Sequence, residues 1–215
     1  MSETPTIDPA RTALLAMDFQ NGIVASAAGG GAEAALARTA EAIALLRKAG
    51  ARIGYVRVAL ADDDLAAIPP TSYFAALATP ERREYLHADS PSTAIDERIA
   101  PEPGDIVVRK VRVGAFSTTD LDQQLRAAGV DTLILTGLST SGVVLSTVRD
   151  GFDRDYRIIV LADACADSAP GVHEFLTEQI FPRQAQVISS EELAAAISGA
   201  GPAWSAVTGG LSGRS

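Results

Sequence analysis

Three places in this sequence set polar or reactive side chains at the ends of apolar runs. Asp18 follows the run from Arg11 to Met17, and Lys110 follows Ile106-Val107-Val108-Arg109. A third junction reads Gly137-Leu138-Ser139-Thr140-Ser141-Gly142-Val143-Val144. A carboxylate and an ammonium in a partly dry crevice shift each other's proton affinity and can exchange protons with a substrate. A glycine-bearing turn that opens a helix can aim backbone N–H groups at an anion or a polarised oxygen. Each piece also has a plainer reading. Asp18 could cap the Asn-Gly turn in Phe19-Gln20-Asn21-Gly22, Lys110 could be a solvated strand end, and Gly137 and Gly142 could serve tight turning alone.

The elements that would position these residues alternate strand and helix. The run before Asp18 is too short for a helix and predicts a buried strand. Apolar residues Ala35, Leu36, Ala40, Ile43, Leu46 and Ala49 recur at helical spacing over 32–49, with Gly50 as the stop. Further strands are predicted at 52–58, 106–108, 132–136, 157–161 and 185–188, with helices near 120–128, 141–154 and 173–180. This order predicts one α/β domain: a three-layer α/β/α sandwich around an open, mostly parallel, doubly wound sheet of six strands. In such a sheet the strand ends carrying Asp18, Lys110 and the 137–143 junction share one edge, where a crevice forms. The stretch 61–104 holds six prolines and reads as a long excursion near that edge, broken by short helical pieces. Gly29-Gly30-Gly31 reads as a flap or a linker. The domain is expected to span 1–198, and 199–215, rich in glycine and serine around Trp204, reads as a tail or arm.

The chain has 215 residues, 47% of them apolar, enough for a single core. A net charge of -9 argues against nucleic acid or an anionic membrane as partner and favours a small-molecule substrate. No run is long enough to span a membrane and the N-terminus lacks a signal peptide's pattern, so a cytoplasmic location is expected. One cysteine, Cys165, and two histidines, His87 and His173, make a poor metal inventory, and no metal is expected. Neither a G-x-G-x-x-G turn nor a phosphate loop is present, and no cofactor is expected.

Taken in order, Asp18-Phe-Gln-Asn, Lys110 with Ala115-Phe116-Ser-Thr-Thr-Asp120-Leu121, Thr136-Gly137-Leu-Ser-Thr140-Ser-Gly-Val143-Val144 with Thr147, and Asp163-Ala164-Cys165 resemble the isochorismatase-like hydrolases. The likeness runs from about residue 11 to 195. It implies Asp18 as the residue that activates the family nucleophile, Lys110 as its cationic partner, a cis peptide at Leu138–Ser139, and a dimer or tetramer. The amidase branch of that family carries Gly-x-x-Thr-x-x-Cys-Val, which places Val143 where the cysteine nucleophile would stand. Valine cannot attack a carbonyl. Cys165 falls after the fifth strand and reads as a buried small residue. No histidine is evidently placed to activate Ser139, Thr140 or Ser141.

These residues are read as a hydrolase acting on a small anionic molecule through acid–base chemistry centred on Asp18, without a covalent cysteine intermediate. The loop Leu138, Ser139, Thr140, Ser141, Gly142 and Val143 would bind substrate, its backbone N–H groups donating. Phe19, Gln20, Phe116, Tyr73 and Tyr85 would wall the pocket. Two alternatives stay open: an inactive relative that binds a small ligand or a protein, and an amidase in which Ser139 or Ser141 replaces the cysteine.

Overall fold

Strand β1 (Thr12–Met17) is buried along its whole length, and the reason lies in its place at the centre of a six-stranded sheet. The computed structural model describes residues 6–27, 31–72, 74–75, 79, 82 and 85–198. The other strands are β2 (Arg52–Val58), β3 (Ile106–Lys110), β4 (Thr132–Leu138), β5 (Arg157–Ala166) and β6 (Gln186–Ile188). Their order is β3-β2-β1-β4-β5-β6, and every pairing is parallel. The switch in direction of winding falls between β1 and β4, the place where such sheets open a crevice.

Alternation along β1 sends side chains to both faces. Leu14 and Ala16 join a core with Ile53, Ile134 and Leu161 under helix α2 (Ala32–Ala49) and helix α7 (Ser190–Ile197). Ala13, Leu15 and Met17 join the opposite core with Val56, Leu133 and Val160, under α4 (Leu121–Ala127) and α5 (Leu145–Asp153). Both faces of the sheet are therefore covered, and each fully buried Leu contributes about 2 kcal/mol of transfer free energy.

Helix α2 forms as its spacing predicts. Ala35, Leu36, Thr39, Ala42, Ile43 and Leu46 face inward, and the helix ends at Gly50, whose φ of 90° is the left-handed conformation that glycine adopts without strain. Two elements depart from the sequence expectation. Asn21-Gly22 begins helix α1 (Asn21–Ser26) and is not a turn. Its entry is pinned from outside, since Asn21 donates its N–H to the Ala94 carbonyl and its Nδ2 to the Pro91 carbonyl. Helix α7 was not expected, although Ser189 and Glu192 form the reciprocal capping box that announces a helix start.

Among the described residues the excursion over 61–104 includes α3 (Asp62–Ala66) and the 3-10 turns Pro91–Thr93 and Glu97–Ile99. Single bridges join it back at Leu60–His87 and Gln20–Ile95. A short helix, α6 (Val172–Phe175), precedes β6 and continues into a widened turn at Leu176–Ile180. Gly31 caps α2; Gly29, Gly30 and the tail 199–215 lie outside the described residues. No helix among those described is long and apolar enough to cross a membrane.

Candidate active site

Asp18 sits one residue past β1 with φ at 60°, a conformation uncommon for anything but glycine. Its N–H bonds the Val56 carbonyl and its carbonyl accepts from Gln20 N–H, so the chain turns sharply there. The turn sends the carboxylate into the interior at the sheet edge. Lys110, the last residue of β3, comes from two strands away and places Nζ 2.9 Å from Asp18 Oδ2, with the two side chains only 2% and 8% exposed. Nζ also donates to the Arg112 carbonyl at 3.3 Å.

Burial pushes the Asp18 carboxyl above its ordinary value, against the opposing charge and hydrogen bond of Lys110. Its second oxygen, Oδ1, is buried and has no hydrogen-bond partner of normal geometry among the described residues, while the Val58 N–H, committed to Gln20 Oε1, lies near enough to the carboxylate to favour its charged form. An orphaned acceptor costs about 1–3 kcal/mol.

Asp18 and Lys110 line a cavity of about 360 Å³, together with Ile23 and Ala27 of the α1 segment, Val58 at the end of β2 and Leu60 beyond it, Arg112 and Val113 after β3, and Asp167 and Ser168 after β5. Leu138, Ser139, Gly142 and Val143 form one wall. The strand-four junction reaches this position through an unusual path. Strand β4 continues through Gly137, which is paired with Met17 and is not a turn residue. A Cβ there would come within 2.9 Å of the Met17 carbonyl oxygen, so the glycine serves close strand approach. The Leu138–Ser139 peptide is cis, as the resemblance implies, and a widened helical turn at Thr140–Val144 leads into α5.

Several expected roles look different in place. Phe19 belongs to the core that covers α2, and Phe116 to the opposite core, stacked on Tyr156 at 5.9 Å between ring centroids. Neither lines the cavity; both follow buried strand or loop positions whose side chains point under the helices. Gln20 is buried and acts as a brace: its Oε1 accepts from Val58 N–H at 2.8 Å, and its Nε2 donates to the carbonyls of Val58 at 2.9 Å and Thr93 at 2.8 Å. Tyr85 is 40% exposed and lies over Gly22, where a Cβ would run into its ring. Tyr73 lies outside the described residues. Thr140 and Ser141 stand behind the wall. Ser141 N–H donates to Asp167 Oδ2 at 2.8 Å and Gly142 N–H to the Ser139 carbonyl at 3.2 Å, so two N–H groups expected to face a substrate are engaged within the protein.

A histidine is in fact paired with this loop. His173 Nδ1 lies 2.9 Å from Thr140 Oγ1, a hydroxyl that is fully buried. Asp167 stands near the same ring. Burial alone would raise its carboxyl, but hydrogen bonds from Ser141 and Ala169 and the nearby His173 hold it below the ordinary value. The pairing joins residues 33 apart in sequence, and no local pattern announces it. Arg112 was also missed, although it shares the parity of Lys110, two residues on, a signal available from strand alternation. The polar wall is completed from outside the expected set by Asp167 and Ser168. Among the described residues no three His, Cys, Asp or Glu side chains are grouped to hold a metal ion.

Cys165 is no substitute nucleophile. It is buried on β5 with Sγ donating to the Leu135 carbonyl, does not line the cavity, and burial pushes its thiol up to about 12. The cavity that holds the acid and the cation is therefore lined by no cysteine.

Residues 12–192 match the isochorismatase domain family. Ureidoacrylate amidohydrolase RutB of Methylobacterium radiotolerans is 37% identical over 186 residues, covering 78% of this chain and 72% of that protein. Among solved structures, a cysteine hydrolase from Pseudomonas syringae pv. phaseolicola superposes with a TM-score of 0.79 at 27% identity, over 91% of this chain and 96% of that one. An isochorismatase family protein from Burkholderia thailandensis gives 0.75 at 30% identity, over 92% and 100%. With the six-stranded parallel sheet, the buried acid and cation at its edge and a domain match spanning most of its length, this chain belongs to the isochorismatase family of hydrolases, and it lacks the family's nucleophilic cysteine.

Proposed function

We propose that this protein hydrolyses a small anionic molecule by acid–base chemistry centred on Asp18, with Val143 standing where relatives carry the cysteine. The observation that carries the reading is the Asp18–Lys110 pair, 2.9 Å apart and buried in a cavity lined by no cysteine, with Asp18 Oδ1 unpartnered. A carboxyl whose burial favours its protonated form can deliver a proton to the group that leaves or to the carbon that accepts it. Water then adds to the electron-poor centre, and the proton it sheds returns to Asp18, so the residue ends as it began. Lys110 stabilises the carboxylate between these two transfers and offers its remaining N–H to the substrate or the water. Val143 serves as an apolar wall that keeps the site dry, which strengthens the charges within it.

A second reading is favoured by one observation: Ser139 lines the same cavity, and a relative is named an amidohydrolase. In that reading Ser139 Oγ attacks an amide or ureido carbonyl. The two are separated by turnover of isochorismate, nicotinamide and N-carbamoyl amides by the wild type, Lys110→Ala and Ser139→Ala. The Asp18 reading expects Ser139→Ala to keep most of its activity and Lys110→Ala to lose it. Loss in Ser139→Ala alone assigns the serine route, and a folded wild type that turns over none of a broad panel identifies a binding module.

A further inference from the structure

We propose that Arg112 is the residue that selects the substrate, by holding a single carboxylate group at the β3 end of the cavity. The inference rests on the hydrolase reading above and names what that site admits. Lys110 has one N–H left beyond those given to Asp18 Oδ2 and the Arg112 carbonyl, so it cannot grip a carboxylate through two parallel hydrogen bonds. Arg112 is the next cation along the cavity wall, and it is half-buried. One of its nitrogens, Nη1, donates to the Val111 carbonyl. Among the described residues no carboxylate lies within ion-pair distance of its guanidinium, unlike Arg109, which is paired with Asp64, or Arg98, which is paired with Asp96 and Glu33. Its guanidinium carbon lies 5.3 Å from the centroid of the Phe74 ring, which also lines the cavity and holds the guanidinium in place. The remaining N–H groups form a planar fork, the arrangement that accepts a carboxylate through two parallel hydrogen bonds.

The position along the sheet fixes the orientation of the ligand. Arg112 follows β3 and Asp167 follows β5, four strand spacings apart in the order of the sheet, or roughly 19 Å along its edge. Asp18 follows β1, midway between them. A substrate carboxylate is drawn to the Arg112 end and repelled from Asp167, so the bond to be broken falls over the Asp18–Lys110 pair in the middle. Among the described residues that line the cavity, Arg112 is the cation with no ion-pair carboxylate, the nearby Asp64 being paired with Arg109, and one such cation matches a monocarboxylate; a neutral molecule of the same shape would leave the fork unsatisfied.

Calorimetric titration with succinamate and succinamide tests this, since the two probes are nearly the same shape and differ by one carboxylate. The wild type is expected to bind succinamate at least about tenfold more tightly, Arg112→Ala to bind the two alike, and Arg112→Lys to keep part of the preference through its point charge. A preference that survives Arg112→Ala, or a wild type that binds both probes equally or binds neither, overturns the proposal. An Arg112-dependent preference in a protein that hydrolyses nothing supports the role of Arg112 and contradicts the hydrolase reading, so the two fail separately.

Discussion

At the scale of single residues, the site is an acid and a cation that hold one another inside the protein. Burial raises the Asp18 carboxyl above its ordinary 3.8, so the folded chain retains a proton that the unfolded chain releases. Such a group adds stability below that ordinary value and loses it as pH rises through the folded-state value. The Lys110 charge opposes this loss. Lys110→Met is therefore predicted to cost about 3–5 kcal/mol at neutral pH. Its melting-temperature deficit against the wild type should widen from about pH 4 to about pH 8; a deficit that is flat or narrows with pH would show that the pair does not carry the buried charge. Both residues were legible in the sequence because each ends an apolar run that must be a strand. Phe19 and Phe116 were not, since an aromatic beside a strand end points either into a crevice or under a helix, and sequence spacing does not distinguish the two. Here both are core.

At the scale of elements, the cavity depends on braces between strand ends. Gln20 ties the β1 exit to Val58 at the end of β2 and to Thr93 in the excursion through three hydrogen bonds. Gln20→Ala strands buried backbone groups on both neighbours, and a loss of about 3 kcal/mol is predicted by denaturant unfolding; a change below about 0.5 kcal/mol, the range of neutral surface substitutions, would contradict the brace. Strand β4 approaches β1 closely at Gly137, where an added Cβ would meet the Met17 carbonyl oxygen at 2.9 Å and the Met17 Cβ at 3.1 Å. Gly137→Ala is predicted to destabilise by about 1–3 kcal/mol, since the contact is with backbone and cannot swing away. Strand and helix periodicity made all six strands and α2 readable in advance. The α1 helix was hidden because Asn21-Gly22 carries a turn's composition, while contacts from residues 91 and 94, far along the chain, pin its start. The His173–Thr140 pair was hidden for the same reason.

At the scale of the whole molecule, the parallel order β3-β2-β1-β4-β5-β6 brings the ends of β1, β3, β4 and β5 to one edge, and that convergence was the most legible part of the chain. Alternating strands and helices require it once the crossovers are right-handed. The two cores draw on residues from Ile7 to Leu193. Reading 199–215 as a tail outside the domain predicts that a chain ending at residue 198 melts within about 2 °C of the full chain, a shift equivalent to less than about 1 kcal/mol for a chain this size. A larger fall would place the tail within the cooperative unit.

The central claim is that Asp18 performs hydrolysis without a cysteine, and the pH profile of kcat/KM for wild type, Asp18→Asn and Cys165→Ser on one turned-over substrate tests it most directly. In the proposed mechanism Asp18 acts in its protonated form, so wild-type activity is predicted to fall as pH rises through the raised Asp18 value. Asp18→Asn is predicted to lose about 10²–10⁴-fold and with it the pH limb, while Cys165→Ser keeps both rate and profile. An Asp18→Asn protein that retains wild-type turnover, or a Cys165→Ser protein that loses it, would contradict the account.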